Sequence, residues 1–141
     1  INRTNQPPVA NDSSLSVTTG SSSSIDVTSL ISDPDGDPLT TSITGNPSNG
    51  SATLNGNVIT YSHDGSSAIT DSITYQVDDG YGGTDTGVIV INRTNQPPVA
   101  SDSTFAITED TSLTIDLSTL ISDPDGDALI SASFKVWVSK S

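Results

Sequence analysis

The chain contains no cysteine and few basic residues. Without cysteine there can be no disulfide bond, no zinc site built on thiolates and no thiol catalysis. Its 4 lysine and arginine residues stand against 17 acidic ones, a net charge of −13, and no segment is basic enough to follow a phosphate backbone. No apolar run approaches the roughly 18 residues that span a bilayer. The composition therefore argues against nucleic acid as a partner and against membrane insertion.

The residues that are abundant are small and polar. Hydrophobic residues make up 31% of the 141 residues. The 25 serines and 19 threonines together are as numerous as the hydrophobic residues. Sixteen of the 17 acidic residues are aspartate, which favours turns and ligand loops over helices. Such an acidic, cysteine-free composition suits an extracellular protein that folds without disulfides around a thin core.

An internal repeat with a period of 90 residues organises the chain. The decapeptide INRTNQPPVA at 1–10 recurs unchanged at 91–100, and LISDPDGD at 30–37 recurs at 120–127. The paired prolines of each decapeptide are typical of a semi-rigid linker. We therefore predict one complete module at 1–94 and the first half of a second at 95–141.

Within the first module the hydrophobic period is two, which is typical of strands. Alternating runs at 15–18, 25–27 and 73–77 are separated by Asn-Gly and Asp-Gly turns. Roughly seven short strands at this spacing predict an all-β Greek-key sandwich. We assign residues 24–30 to strand B and 71–77 to strand F.

These strands place two acidic loops at one end of the module. Residues 33–37 (Asp-Pro-Asp-Gly-Asp) form the B–C loop, Asp78 and Asp79 open the F–G loop, and Asn5 lies in the incoming linker. Five carboxylates that converge without a counter-ion repel one another. A hard cation with six to eight oxygen ligands would relieve this, and Ca²⁺ suits flexible loops better than Mg²⁺ does.

Residues 33–37 have two other possible interpretations. An EF-hand is excluded, because its sixth position is Pro38 or Ala128 instead of glycine and its twelfth is Thr44 or Phe134 instead of glutamate. The segment could also be a plain soluble turn, and that alternative stays open.

The linker, the LISDPDGD segment and the YQVDDG run at 75–80 together resemble the cadherin-like tandem repeats of very large bacterial surface adhesins. The resemblance covers the first module and the front of the second, and it implies that the sandwich is immunoglobulin- or cadherin-like. It implies that Ca²⁺ bound between modules stiffens the chain into a rod at the cell surface. The ligands it implies are Asn5, Asp33, Asp35, Asp37, Asp78 and Asp79 at one end, and Asn95, Asp123, Asp125 and Asp127 at the internal junction.

The chain departs from that pattern in two places. Residues 108–110 are the Thr-Glu-Asp often found at the first turn of such repeats, whereas 18–20 are Thr-Thr-Gly. The second module also stops before its F–G loop. We therefore expect the internal site to be weaker than the first.

Other candidate chemistry is sparse. His63-Asp64 suggests a catalytic pair, but no nucleophile elbow G-x-S-x-G occurs, so we expect a surface histidine and no enzyme. Tyr61 and Tyr75 are expected in the core, and Tyr81, between glycines, is the aromatic side chain expected to be exposed.

The last residues alternate cleanly over 134–140 and could form strand C of the second module. Half a sandwich leaves open strand edges, so the half-module is either a fragment of a longer array or is completed by strand addition from another copy. The function we predict is a calcium-rigidified spacer of an extracellular bacterial adhesin or filament that supports cell adhesion. The alternatives are a carbohydrate-binding module and a filament subunit that polymerises by donated strands.

Overall fold

A computed structural model describes residues 3–130 and the backbone of 135–137. The chain forms two compact units, Ile1–Asn95 and Gln96–Ser141. Among the described residues no helix is long and apolar enough to cross a membrane.

The first unit is a β-sandwich, so the all-β prediction is confirmed. One sheet contains, in spatial order, β2 (Ser13–Val17), β9 (Thr84–Arg93), β8 (Thr70–Asp78) and β5 (Thr40–Gly45). The other sheet contains, in spatial order, β3 (Ser22–Asp26), β7 (Val58–His63) and β6 (Gly50–Asn55). A short pair, β1 (Val9–Ala10) and β4 (Ile31–Ser32), extends the fold toward the linker. The pairings are antiparallel apart from β2 with β9, which is parallel.

The core lies between these sheets and is small. Alternate residues of β8 and β9 point inward and are buried, while the residues between them face outward. The outward residues are polar in β8, whereas in β9 they include Val88 and Val90. The buried hydrophobic residues are Ala10, Val17, Val27, Ile59, Tyr61, Ile73, Tyr75, Val77, Ile89 and Ile91. The expected burial of Tyr61 and Tyr75 is confirmed, and Tyr81 is 70% exposed as predicted.

Strand B is shorter than predicted. It ends at Asp26, and Val27–Leu30 form a 3-10 turn instead of continuing to residue 30. The Asp26 carboxylate accepts a hydrogen bond of 2.9 Å from the backbone N–H of Thr28 and so caps that turn. Val27 is fully buried in this turn, as the alternation in sequence would also place it in a strand, so the alternation could not reveal the change.

The prediction that His63 is a surface residue in a loop is wrong. It is the last residue of β7 and is only 7% exposed. Its Nδ1 accepts a 3.0 Å hydrogen bond from the N–H of Gly65. Its Nε2 lies 3.4 Å from the carbonyl oxygen of Ala68. The imidazole thus closes a turn at the end of the sandwich.

The second unit repeats the opening of the first. β10 (Val99–Ala100) pairs with β12 (Ile121–Ser122) in the register of β1 with β4, and Asp116 caps a 3-10 turn at Leu117–Thr119. β11 (Ser112–Thr114) pairs with β13 (Lys135–Trp137), so the predicted terminal strand is present at those three residues. It takes the place that β7 has beside β3 and not that of β5, which pairs with strand F as a strand C does, so its assignment as strand C is wrong. The rest of 134–140 lies outside the described residues.

An apolar cleft of about 260 Å³ opens on the described part of the second unit. Its lining residues are Pro98, Val99, Ala100, Leu117, Ile121, Leu129 and Ile130. Completion of this unit by a strand from another copy stays a prediction.

Candidate metal centre

The loop at residues 33–37 is folded around the carboxylate of Asp33. Asp33 Oδ1 accepts hydrogen bonds from the backbone N–H of Asp35 at 2.8 Å and of Asp37 at 3.2 Å. Gly36 has a φ of 77°, a conformation that glycine adopts without strain, and its N–H bonds the Asp33 carbonyl oxygen at 3.2 Å. The segment Asp-Pro-Asp-Gly-Asp therefore specifies a tight turn that curls back on its first aspartate.

This turn brings three carboxylates together. Asp33, Asp35 and Asp37 each offer an oxygen that lies within 4.8 Å of those of the other two. Asp33 Oδ2 is buried and has no hydrogen-bond partner. A buried carboxylate oxygen normally has a donor, since leaving it without one costs free energy. The loop thus offers an unsatisfied anionic atom beside two further carboxylates.

The linker lies across the loop and contributes positive charge. The backbone N–H of Gln6 donates to Asp35 Oδ2 at 2.7 Å, and its side-chain amide lies 3.4 Å from Asp35 Oδ1. Arg3 Nη2 donates to Asp37 Oδ2 at 2.9 Å. The Gln6 N–H, followed by the charge of Arg3, lowers the pKa of Asp35 against the opposing effect of desolvation. Desolvation works against the charged guanidinium, but Asp35 and Asp37 outweigh it, so the pKa of Arg3 is raised.

Asp79 accepts hydrogen bonds from the backbone of the F–G loop. It is 1% exposed, and its Oδ1 accepts from the N–H groups of Tyr81 at 2.7 Å and Gly83 at 2.9 Å. Asn5 Nδ2 donates to its Oδ2 at 2.8 Å, and this hydrogen bond is the main cause of the lowered pKa of Asp79. Asp79 thereby ties the linker to the F–G loop.

Asp78 lies on the other face of the strand. The alternation of β8 leaves it exposed between the buried Val77 and Asp79, and its carboxylate accepts from the Gly80 N–H at 2.7 Å. The sequence-predicted residues of the first site thus form two groups: Asp33, Asp35 and Asp37 together, and Asn5 with Asp79. An open cleft of about 250 Å³ lies at this end, lined by Arg3, Asn5, Asp37 and Tyr81.

The loop of the second unit has the same geometry. Asp123 Oδ1 accepts from the N–H of Asp125 at 2.8 Å and of Asp127 at 3.2 Å, and the three carboxylates again lie within 4.8 Å of one another. Asp125 is buried, and its Oδ2 accepts a short hydrogen bond from the N–H of Gln96. Asn95 is exposed and is the last residue of the first unit.

Sequence reasoning missed Arg3 and Gln6 as parts of this site. The available signal was spacing, because an arginine stands 30 positions before the first aspartate of each loop, at Arg3 and Arg93. Charge complementarity at a fixed distance in both copies could have indicated the contact.

Comparison with known proteins agrees with this architecture. The family model described as "Bacterial Ig domain" matches residues 5–92 and again 95–140. The chain belongs to the bacterial Ig domain family. The two matches correspond to the two copies of the repeat. The sandwich of the first unit is therefore an immunoglobulin-like domain of the bacterial type. The narrower resemblance to cadherin-like adhesin repeats stays a prediction.

No curated protein matches the chain. One similar solved structure is a nucleoside hydrolase-related hypothetical protein from Saccharophagus degradans associated with carbohydrate metabolism, at 26% identity, 64% coverage of this chain and TM-score 0.45. Another is an endo-fucoidan hydrolase of glycoside hydrolase family 107, at 25% identity, 86% coverage and TM-score 0.48. This bacterial Ig chain spans only 26% and 20% of those two chains.

Proposed function

We propose that these bacterial Ig modules are structural spacers of a bacterial surface protein and that Ca²⁺ bound at the linker end stiffens them. The observation that carries the proposal is the buried, unpartnered Oδ2 of Asp33 within a group of three aspartates. A bound cation would satisfy that atom and remove the repulsion between the carboxylates. Location at the cell surface and a role in adhesion are part of the same proposal.

The donor set suits calcium. Asp33, Asp35 and Asp37 would hold the ion, since a hard cation prefers carboxylate oxygens on loops, and the corresponding residues Asp123, Asp125 and Asp127 would do so in the second unit. The ion would supply charge neutralisation and a link between loop and linker. Asn5, Asp78 and Asp79 remain predicted ligands. For Asp79 that role would require its Oδ2 to give up, or share, the hydrogen bond from Asn5.

Calcium removal tests the proposal. At 100 to 1,000 times its Kd, Ca²⁺ would stabilise the folded chain by roughly 2.7–4.1 kcal/mol. For a unit of this size that raises the Tm by roughly 10 °C or more over the Tm in EDTA. Calorimetric titration of the intact chain should show heat of binding that is reduced in Asp35→Asn.

A charge-matched control is available at Asp102, an exposed aspartate outside both loops. Asp102→Asn lowers the net negative charge by the same amount and should leave calcium binding unchanged. A Tm shift below about two degrees between EDTA and millimolar Ca²⁺ would count against the calcium role.

Carbohydrate binding is the second candidate function. The exposed ring of Tyr81 lines the cleft with Arg3, Asn5 and Asp37, and an aromatic face beside polar side chains is an arrangement that can hold a sugar. On a glycan array the chain would then bind a sugar that Tyr81→Ala no longer binds, while both proteins keep the same calcium affinity. An array without any bound glycan removes this candidate.

A further inference from the structure

One arginine occupies the oxygens that a calcium ion would use. Arg3 Nη2 lies 2.9 Å from Asp37 Oδ2, 3.4 Å from Asp35 Oδ2 and 3.1 Å from the carbonyl oxygen of Asp35. A single nitrogen thus bridges two of the three aspartates. The guanidinium stands where a cation is needed, which shows that the loop accepts positive charge in this place.

Electrostatic contacts, and not packing, hold Arg3 on the aspartates. Its side chain is 56% exposed, so few neighbouring atoms fix its position. An exposed ion pair of this kind is weak, because solvent screens its charges. The contact of Arg3 with the loop is therefore exchangeable.

We propose that Arg3 is an internal counter-ion of the loop at residues 33–37 and that Ca²⁺ displaces it on binding; this inference rests on the proposed calcium site. Arg3 and Ca²⁺ compete for the carboxylate of Asp37 and for two oxygens of Asp35, its side-chain Oδ2 and its backbone carbonyl oxygen. The competition lowers the apparent calcium affinity, because the ion must first break the arginine contacts. It also keeps the loop and linker together when calcium is scarce.

Substitution of Arg3 separates these two effects. In Arg3→Gln, Ca²⁺ no longer has to displace a guanidinium, so its Kd at the first loop should fall by about two- to fivefold, the range expected for an exposed ion pair. In EDTA the same variant should have a lower Tm than the wild type, because the carboxylates lose their counter-ion. The substitution is thus expected to raise the calcium affinity and to lower the stability of the calcium-free protein.

The repeat provides an internal control in the intact chain. Gly36 and Gly126 occupy equivalent turns, with φ of 77° and 74°, so their amide resonances report on calcium at each loop separately. Arg3→Gln should shift the titration midpoint of Gly36 and leave that of Gly126 unchanged. Equal tightening at both loops would indicate a general charge effect and overturn the proposal.

Displacement can also be observed directly. The chain has two arginines, so the Nε resonances of Arg3 and Arg93 are assigned with the variant Arg93→Lys. The Arg3 resonance should change in step with that of Gly36 as CaCl₂ is added. An Arg3 resonance that stays constant at saturating calcium overturns displacement.

The outcomes distinguish this inference from the proposed function. If the wild type binds Ca²⁺ and Arg3→Gln binds it equally well or more weakly, only the arginine inference fails. Weak extracellular calcium sites have a Kd of about 10⁻⁴–10⁻³ M, so they are filled at about 10 mM Ca²⁺. If neither protein binds Ca²⁺ at that concentration, both the inference and the proposed function fail. If only Arg3→Gln binds, the arginine blocks the site and the inference is supported.

Discussion

Ile89→Ala is expected to lower the free energy of unfolding of the first unit by about 2–5 kcal/mol. Ile89 is fully buried on β9, opposite Ile73 of β8, and the truncation leaves a cavity between the sheets. Among the residues that the structure describes, only ten hydrophobic ones are buried in the core, and a domain of this kind has about 5–15 kcal/mol of stability in total. Denaturant melts in EDTA should therefore show a large fall in the midpoint.

The next residue on the same strand provides the control. Val90 faces outward and is 42% exposed, so Val90→Ala should change the free energy of unfolding by less than about 0.5 kcal/mol. If calcium stabilises the folded state, millimolar Ca²⁺ should recover much of the stability lost in Ile89→Ala. Equal losses in the two variants would contradict the position of the core.

Gly87→Ala is expected to destabilise the first unit by about 1–3 kcal/mol through overpacking. A Cβ added there would lie 2.5 Å from Cε1 of Tyr75 and 2.8 Å from the carbonyl oxygen of Asn11. Neither neighbour can move easily, because Tyr75 is fully buried and its hydroxyl donates to that same Asn11 oxygen at 2.6 Å. The free energy of unfolding from urea melts measures the loss.

A double-mutant cycle tests the cause. In a Tyr75→Leu background the aromatic atoms are absent, so Gly87→Ala should cost less than it does in the wild type. Strictly additive losses would show that the ring is not what excludes a side chain at Gly87.

The local parts of the candidate site could be predicted from neighbouring residues in the sequence, whereas its long-range contacts do not follow from local patterns. Asp33, Asp35 and Asp37 are close together because the turn between them is short and glycine allows it, and both facts are visible in the repeat. Similarly, the period-two alternation at 73–77, together with the turn signals between short runs, predicted the all-β sandwich.

The pairing of the buried Asp79 with Asn5 joins residues more than 70 positions apart and depends on where the linker crosses the F–G loop. The burial of His63 depends on one extra strand residue and on a turn that closes over the ring. The contact of Arg3 spans more than 30 residues and follows from where the linker crosses the loop. These features are set by tertiary packing, so local composition could not supply them.

The parallel pairing of β2 with β9 has a mechanical consequence. β2 follows the entry of the chain into the first unit, β9 precedes its exit, and five residue pairs from Ser13–Ile89 to Val17–Arg93 join them. Tension between the two ends would pull these strands past each other lengthwise. Their hydrogen bonds, evenly spaced in a parallel pair, would share the load and rupture nearly together instead of opening one at a time. We therefore expect the unit to resist a pulling force along the direction of the chain.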